Sequence, residues 1–130
     1  TKELEIKKSG AAFNNRSLLY QEFNNLEKAL EDLNNAISME SEELYYLNRA
    51  KLQVKIGDLQ SAIEDIESAF QLEKNTELIK YKAQILAQYR KTELAIVEIE
   101  KYCDLKGWIS EDVRKREINE IRDEKPKPIN

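Results

Sequence analysis

The chain repeats itself with a period of 33 residues, and this repetition constrains its fold more than any other feature. Shifting the sequence by one period superimposes small residues in two columns. The columns are Ser17, Ala50 and Ala83, and Ala29, Ala62 and Ala95. A larger apolar column holds Leu33, Ile66 and Ile99. Each period is therefore expected to be one structural unit that buries its apolar side against its neighbours, as in a solenoid.

Within each period the apolar spacing is helical and is interrupted once, which predicts two antiparallel helices per unit. The predicted helices are 11–23, 26–39, 43–56, 59–72, 76–89 and 92–105. Asn24, Gly57 and Arg90 occupy the turns, where Gly57 and Asn24 tolerate a left-handed backbone and Arg90 suits it poorly. Asn25 and Asp58 follow and are predicted to cap the next helix through their side-chain oxygens.

The composition fits one helix-rich domain. The 130 residues are 41% hydrophobic and 35% charged, with only three glycines and two prolines. A net charge of -4 argues against nucleic acid as a partner, and the apolar runs are too short to span a membrane. The single cysteine, Cys103, cannot form an internal disulfide and is compatible with a reducing compartment, so a cytoplasmic location is expected.

The N-terminal end of the chain predicts part of a preceding repeat, and the C-terminal end predicts a capping helix. Leu4 and Ile6 fall one period before Ile37 and Met39, and the chain begins at Thr1 rather than Met, so we expect a fragment of a longer array. The predicted segments are the end of a preceding helix or a lead-in at 1–8, repeats at 9–41, 42–74 and 75–107, a capping helix at 108–124 and a tail at 125–130. The seventh helix itself is expected from about 110 to 124. The alternative for it is the first helix of a further repeat.

These columns resemble the tetratricopeptide repeat family across nearly the whole chain. The second unit, "YYLNRAKLQVKIGDLQSAIEDIESAFQLEKN", matches best, with Ala50, Ala62 and Ala69 at the family's small positions. The usual proline that ends each unit is replaced by Ser41 and Lys74. The resemblance implies an all-α fold: a right-handed superhelical stack of three helix-turn-helix repeats with a C-terminal capping helix.

The residues offer little for catalysis. The chain has no histidine, and one cysteine cannot build a zinc site alone. Its three glycines do not form a phosphate-binding loop. We therefore predict no catalytic residues, no metal site and no cofactor, and we do not expect an enzyme.

A charged pattern repeats with the same period. Basic residues recur on the first helices and acidic residues on the second, sixteen positions apart in each unit; the pairs are Arg16 and Asp32, Arg49 and Asp65, and Lys82 and Glu98. We predict that each pair is an ion pair that braces its hairpin, because the two columns vary together in sign and spacing. The alternative is a basic strip for an acidic ligand.

The resemblance also implies that the first helices line a concave groove. The residues it places there are Asn14, Asn15, Leu18, Gln21, Leu47, Asn48, Lys51, Lys55, Lys80, Tyr81, Gln84 and Gln88. Amide side chains suit an extended peptide backbone because each offers a donor and an acceptor. The alternative is an ordinary solvated helix face.

Some members of the family hold the C-terminal carboxylates of chaperones with a set of five residues. Only Asn48 matches that set, whereas Asn14, Leu18, Glu77 and Tyr81 occupy the other positions, so no such clamp is expected.

The resemblance favours a protein-protein interaction module that binds a peptide or a segment of another protein, as an adaptor, co-chaperone or assembly scaffold. The alternative is a structural segment of a longer solenoid that serves oligomerisation or spacing. Homo-oligomerisation stays open.

Overall fold

A computed structural model describes residues 8–107 and 109–123 of the chain. Within these ranges there are seven α-helices and no strand. The helices are α1 (Gly10–Glu22), α2 (Leu26–Met39), α3 (Glu43–Ile56), α4 (Leu59–Leu72), α5 (Thr76–Gln88), α6 (Thr92–Leu105) and α7 (Glu111–Arg122). The all-α class is confirmed, and the first six helices begin and end within one residue of the predicted positions. The predicted lead-in up to Lys7 and the predicted tail lie outside the described residues.

The chain divides into two compact units, with the division between Glu73 and Lys74. In the first unit, α1 packs against α2 and α3 against α4, and α3 also packs against α2. In the second unit, α5 packs against α6, and α7 packs against both of them. Each repeat is thus a helical hairpin, and the first unit contains two stacked hairpins.

The turns within the hairpins use left-handed backbone at equivalent positions. The φ angles are 58° at Asn24, 97° at Gly57 and 65° at Arg90. Arg90 therefore takes this conformation although its side chain makes the conformation unfavourable. The side chains of Asn25 and Asp58 accept hydrogen bonds from Lys28 N and Ser61 N, at 3.3 Å and 3.2 Å, as expected for N-caps.

The columns of small residues lie inside the packed helices. Every member of the two columns is fully buried: Ser17, Ala50, Ala83, Ala29, Ala62 and Ala95. Ser17 keeps its polar group satisfied, because its hydroxyl donates to the Ala29 carbonyl oxygen at 2.9 Å. Small side chains at these positions allow the backbones of the paired helices to come together.

Two apolar clusters hold the first unit together. One contains Tyr20, Ala29, Leu33 and Leu52, with Leu26 and Leu30 packed against it. The other contains Phe13, Ala36 and Tyr45, with Ile37 packed against it. Both clusters join α1, α2 and α3. Full burial of a side chain such as Leu52 stabilises the fold by about 1.5 to 3 kcal/mol, so these clusters hold α3 against the first hairpin.

The seventh helix is an amphipathic helix with one buried residue. Ser110 caps it by accepting a hydrogen bond from Val113 N at 3.3 Å, and Ile121 is 4% exposed. Lys80 on α5 binds Glu117 at 3.1 Å, and Arg114 binds Asp104 on α6 at 3.0 Å. The helix thus covers the last hairpin, and most of its outward side is polar.

No helix in the described part of the chain is long and apolar enough to cross a membrane.

Candidate functional site

Two side-chain bridges join the first helices of the first unit. Asn48 Nδ2 donates to Asn14 Oδ1 at 2.8 Å, and Lys55 Nζ donates to Gln21 Oε1 at 3.3 Å. Both bridges connect residues 34 positions apart. The two bridges are about two helical turns apart along each helix. Together they hold α1 and α3 side by side.

An exposed surface lies beside these bridges. Leu18 is four residues after Asn14 and Lys51 is three after Asn48, so helical spacing places each next to the seam. Leu18 is 47% exposed, and Lys51 and Lys55 are exposed. Leu44, four residues before Asn48, is 51% exposed. We define the α1–α3 face as Asn15, Leu18, Leu44, Asn48, Lys51 and Lys55.

The α1–α3 face is weakly basic. Among the described residues, no carboxylate lies within ion-pair distance of Lys51, and Lys55 binds only the neutral amide of Gln21. Glu22, one turn after Leu18, is the carboxylate on the same side of α1. Two cations and one carboxylate therefore lie on the side of Leu18, and Glu43 adjoins Leu44 in the first turn of α3.

The predicted groove residues fall into three classes of exposure. Asn15, Leu18, Lys51 and Lys55 are exposed; Gln21, Leu47, Asn48, Lys80, Tyr81, Gln84 and Gln88 are partly buried; Asn14 is buried. Two of the predictions need correction. Asn14 is 5% exposed and its side-chain oxygen is used by Asn48, so it is a link between helices rather than a ligand contact.

Lys80 is the second correction. Its ammonium binds Glu117 of α7 and lies 5.7 Å from the centre of the Tyr102 ring. Burial acts to lower the pKa of Lys80, but the Glu117 carboxylate, 3.1 Å from the ammonium, outweighs this effect, so the pKa is raised. Lys80 thus contacts α7, and the charge of Glu117 offsets its own.

Leu44 was missed by the sequence reasoning. Its signal was present, because it lies four and seven residues before Asn48 and Lys51 and so shares their side of α3.

In the second unit, Tyr81, Gln84 and Gln88 share one side of α5, and burial raises the pKa of Tyr81.

The repeating charges meet within each hairpin. Arg16 donates through Nε and Nη2 to the two carboxylate oxygens of Asp32 at 2.8 Å and 2.7 Å, and Lys82 lies 3.0 Å from Glu98. The carboxylates of Asp32 and Asp65 are almost fully buried. The basic column is thus occupied by internal partners, which supports the bracing interpretation over the basic strip.

Arg49 makes the most extensive of these contacts. It binds Asp65 on α4 through two nitrogens, and its Nη1 donates to Asn34 Oδ1 on α2 at 2.9 Å. The hydrogen bond to Asp65 is the main cause of the raised pKa of the Arg49 guanidinium. One side chain therefore connects α3 to the helices on both sides of it.

The described residues contain no group of three or more side chains that could hold a metal ion.

The sequence model of a family described as tetratricopeptide repeat matches residues 10–43 and 44–76, which together make up more than half of the chain. No match was found among curated protein sequences.

Solved structures with a similar fold come from several organisms. Yeast Tom70 is 16% identical with a TM-score of 0.70, over 87% of this chain and 23% of that one. This chain therefore spans less than a quarter of Tom70. The TPR domain of OM64 from Arabidopsis is 16% identical with a TM-score of 0.67, over 87% of this chain and 93% of that one.

The type III secretion chaperone SycD of Yersinia enterocolitica, solved in complex with a peptide of the translocator YopD, is also similar. It is 12% identical with a TM-score of 0.67, over 85% of this chain and 89% of that one. At these identities the likeness establishes the fold alone.

Proposed function

Because the chain belongs to the tetratricopeptide repeat family, we propose that it is a non-enzymatic binding module whose α1–α3 face holds a segment of another protein. One observation carries the proposal: Leu18 and Leu44 are about half exposed on the same face as Lys51, which has no ion-pair partner among the described residues. Neither leucine contributes its full burial to the fold, so a partner can gain by covering them.

The chemistry of the face defines the partner. Leu18 and Leu44 suit apolar side chains, while Asn15 and the remaining capacity of the Asn48 amide suit a peptide backbone. Lys51 and Lys55 favour carboxylates. We therefore propose an extended or helical segment that carries an apolar residue beside an acidic one.

The charge preference is expected to be weak. Glu22 offsets part of the positive charge of Lys51 and Lys55, and the whole chain carries a net charge of -4. Exposed charges are screened over about 10 Å at 0.1 M salt, so affinity is expected to fall as salt rises. The same balance makes nucleic acid an unsuitable partner, since phosphate binding needs a strongly basic surface.

The comparison with SycD supports this proposal, because that protein was solved with a bound peptide on a similar fold. We propose that this chain likewise binds a peptide and so acts as an adaptor, a co-chaperone or an assembly scaffold.

The test begins with peptides selected from a displayed library on the intact chain. Binding of a selected peptide is then measured by fluorescence anisotropy for Leu18→Ala, Leu44→Ala and Lys51→Glu. Each change should weaken binding about three- to tenfold, which corresponds to roughly 1 kcal/mol of lost burial or charge.

Two matched controls share the exposure of the leucines but lie elsewhere. Leu72 is 49% exposed and Met39 is 50% exposed, at the ends of α4 and α2. Leu72→Ala and Met39→Ala should leave the affinity unchanged. Undiminished binding by all three variants of the α1–α3 face would show that this face is not the binding surface.

A second candidate function is a segment of a longer solenoid, and two residues of α1 favour it. Leu19 is one period before Leu52, which is fully buried against α2, yet Leu19 is 46% exposed and Phe23 is 70% exposed. This side of α1 could receive a second helix of another repeat. Sedimentation velocity of the wild type and of the variant Leu19→Glu/Phe23→Glu tests this candidate function. If another copy associates through this side of α1, the wild type should self-associate and the variant should not.

A cytoplasmic location is part of the proposal. Cys103 is a free, buried thiol, as is common in proteins from reducing compartments.

A further inference from the structure

α7 contacts the first helix of the last repeat, α5, through positions equivalent to those by which α3 contacts α1. Asn14 contacts Asn48, and Lys80, which lies two periods after Asn14, contacts Glu117. Glu117 therefore occupies the place on α7 that Asn48 occupies on α3. Ile121 and Leu52 stand in the same relation and are both buried, at 4% and 0% exposure. The seventh helix thus takes the place of a first helix, with three extra residues before it.

This correspondence identifies one side of α7 by its counterpart on α3. On α3 that side carries Arg49, Ala50 and Gln53, and α4 covers it. On α7 the same side carries Ile118, Asn119 and Arg122. No described helix follows α7 to cover this side as α4 covers α3.

A groove lies at this place between α6 and α7. Its volume is about 330 Å³, and it is lined by Ile96, Glu100, Lys115, Ile118, Asn119 and Arg122. A volume of this order accommodates one or two large side chains of a partner. We call it the α6–α7 groove.

The floor of the α6–α7 groove is apolar for a reason that the first unit makes clear. There, Arg49 binds Asn34 on α2, and the equivalent residues on α7 and α6 are Ile118 and Glu100. An isoleucine cannot make that bond, so Ile118 presents hydrocarbon there, beside the largely buried Ile96, whose equivalents Leu30 and Ile63 are also apolar. Val97, next to Ile96, is 59% exposed.

The exposed Val97 is specific to the last repeat. The equivalent residues of α2 and α4 are Glu31 and Glu64, which are exposed glutamates. Valine has a lower helix propensity than glutamate, so neither folding nor solubility favours it at an exposed position. Val97 does not line the groove, but it lies three residues before Glu100, which does, so it adds exposed apolar surface beside the groove.

Two cations flank this apolar surface. Lys115 and Arg122 are seven residues apart on α7, which places them about 10 Å apart on one side of the helix. Neither has an ion-pair partner among the described residues, and Glu100 is the one carboxylate in the lining. In the first unit, α4 covers the corresponding side of α3. There it places the carboxylate of Asp65 against Arg49.

We propose that the α6–α7 groove binds an amphipathic helical segment of a partner protein, in the manner in which α4 packs on α3. The segment carries two carboxylates seven residues apart, which meet Lys115 and Arg122, and apolar side chains between them, which cover Ile96 and Ile118. This surface is separate from the α1–α3 face and does not depend on the function proposed for that face.

A pair of synthetic helical peptides tests the proposal on the intact chain. The first carries two glutamates seven residues apart with leucines three and four residues after the first glutamate, and the second has lysine in place of both glutamates. Fluorescence anisotropy should show binding of the glutamate peptide and at least about tenfold weaker binding of the lysine peptide, since reversing two exposed ion pairs changes the equilibrium by about this factor.

Charge reversal on the protein provides the matching arm. The variant Lys115→Glu/Arg122→Glu should lose affinity for the glutamate peptide and gain affinity for the lysine peptide. Arg116→Glu is the control, because Arg116 is exposed on the same helix and does not line the groove. Circular dichroism verifies that each variant keeps its helices.

Three results would overturn the proposal. The first is no binding of the glutamate peptide, and the second is equal binding of both peptides. The third is an equal loss of affinity for the glutamate peptide in Arg116→Glu and in Lys115→Glu/Arg122→Glu. A fourth would assign the groove to a second copy of this chain: sedimentation showing a dimer that the glutamate peptide does not displace and that Lys115→Glu/Arg122→Glu dissociates.

Discussion

Arg49 and Asp65 form a two-pronged ion pair, in which Nε and Nη2 of the guanidinium each donate to one carboxylate oxygen at 2.7 Å. The side chain of Asp65 is 7% exposed and that of Arg49 is 21% exposed. A carboxylate in this position depends on its partner, because burying an unpaired charge is strongly unfavourable.

The first prediction concerns this pair. Arg49→Ala should lower the free energy of unfolding by about 3 kcal/mol, and a double-mutant cycle with Asp65→Ala should give a coupling energy above the roughly 0.2 to 1 kcal/mol of exposed pairs. Urea denaturation of the four proteins measures both. A coupling energy near zero would return the basic column to the ligand-binding interpretation.

A second prediction concerns the small column at Ala62, which is fully buried between α3 and α4. Ala62→Leu should destabilise the protein by about 1 to 3 kcal/mol, because added methylenes force the packed helices apart. Thermal melts are sufficient to measure the change. Gln60→Leu adds an apolar side chain at an exposed position of the same helix and should have little effect. If both variants melt at the wild-type temperature, close packing at this column is not important for stability.

The third prediction concerns Arg90, whose φ of 65° is unfavourable for any residue with a Cβ. Arg90→Gly should stabilise the chain by about 0.5 to 1 kcal/mol, the relief of strain being partly offset by the greater freedom of glycine in the unfolded chain. Arg90→Ala removes the charge but keeps the Cβ, so it should not stabilise. Equal gains from both variants in chemical denaturation would attribute the effect to charge.

The fourth prediction concerns the contact between Lys80 and Glu117. Glu117→Gln should increase amide hydrogen exchange in α7 while leaving α1–α4 unchanged, since the bond at 3.1 Å connects α7 to α5. The ion pair of Lys80 and Glu117 should contribute about 0.2 to 1 kcal/mol to the free energy of unfolding, because both side chains keep some exposure to water.

The same contact predicts a pH dependence. Glu117 raises the pKa of Lys80 in the folded state, although burial opposes the rise. A folded-state pKa above the unfolded value gives stability that is complete below the ordinary lysine range and is lost as pH rises through the raised value. The free energy of unfolding of the wild type, measured by urea denaturation at a series of pH values, should therefore fall at strongly alkaline pH. Glu117→Gln should show a smaller fall, and an identical pH profile in both proteins would remove the Lys80–Glu117 contact as its cause.

Features that depend on local spacing along the chain were predictable before the structure was known. The 33-residue period and the helical spacing of apolar residues located six helices to within one residue, because each helix buries one side against its own hairpin partner. Asn25 and Asp58 were predictable as caps, since capping needs only a side-chain oxygen and the amides of the next turn. The partners at a separation of sixteen residues follow from the constant geometry of a hairpin.

The contacts between one repeat and the next were not predictable from local spacing. Asn14 was predicted as a ligand contact and is instead buried against Asn48, and Lys80 is held by Glu117. Both contacts depend on how far one helix is shifted along its neighbour, and no local signal encodes that shift. The place of α7 shows the same limit: three extra residues move its register, and with it the side that forms the α6–α7 groove. Packing between helices sets that register, because the apolar residues of α7 must meet those of α5 and α6 at once.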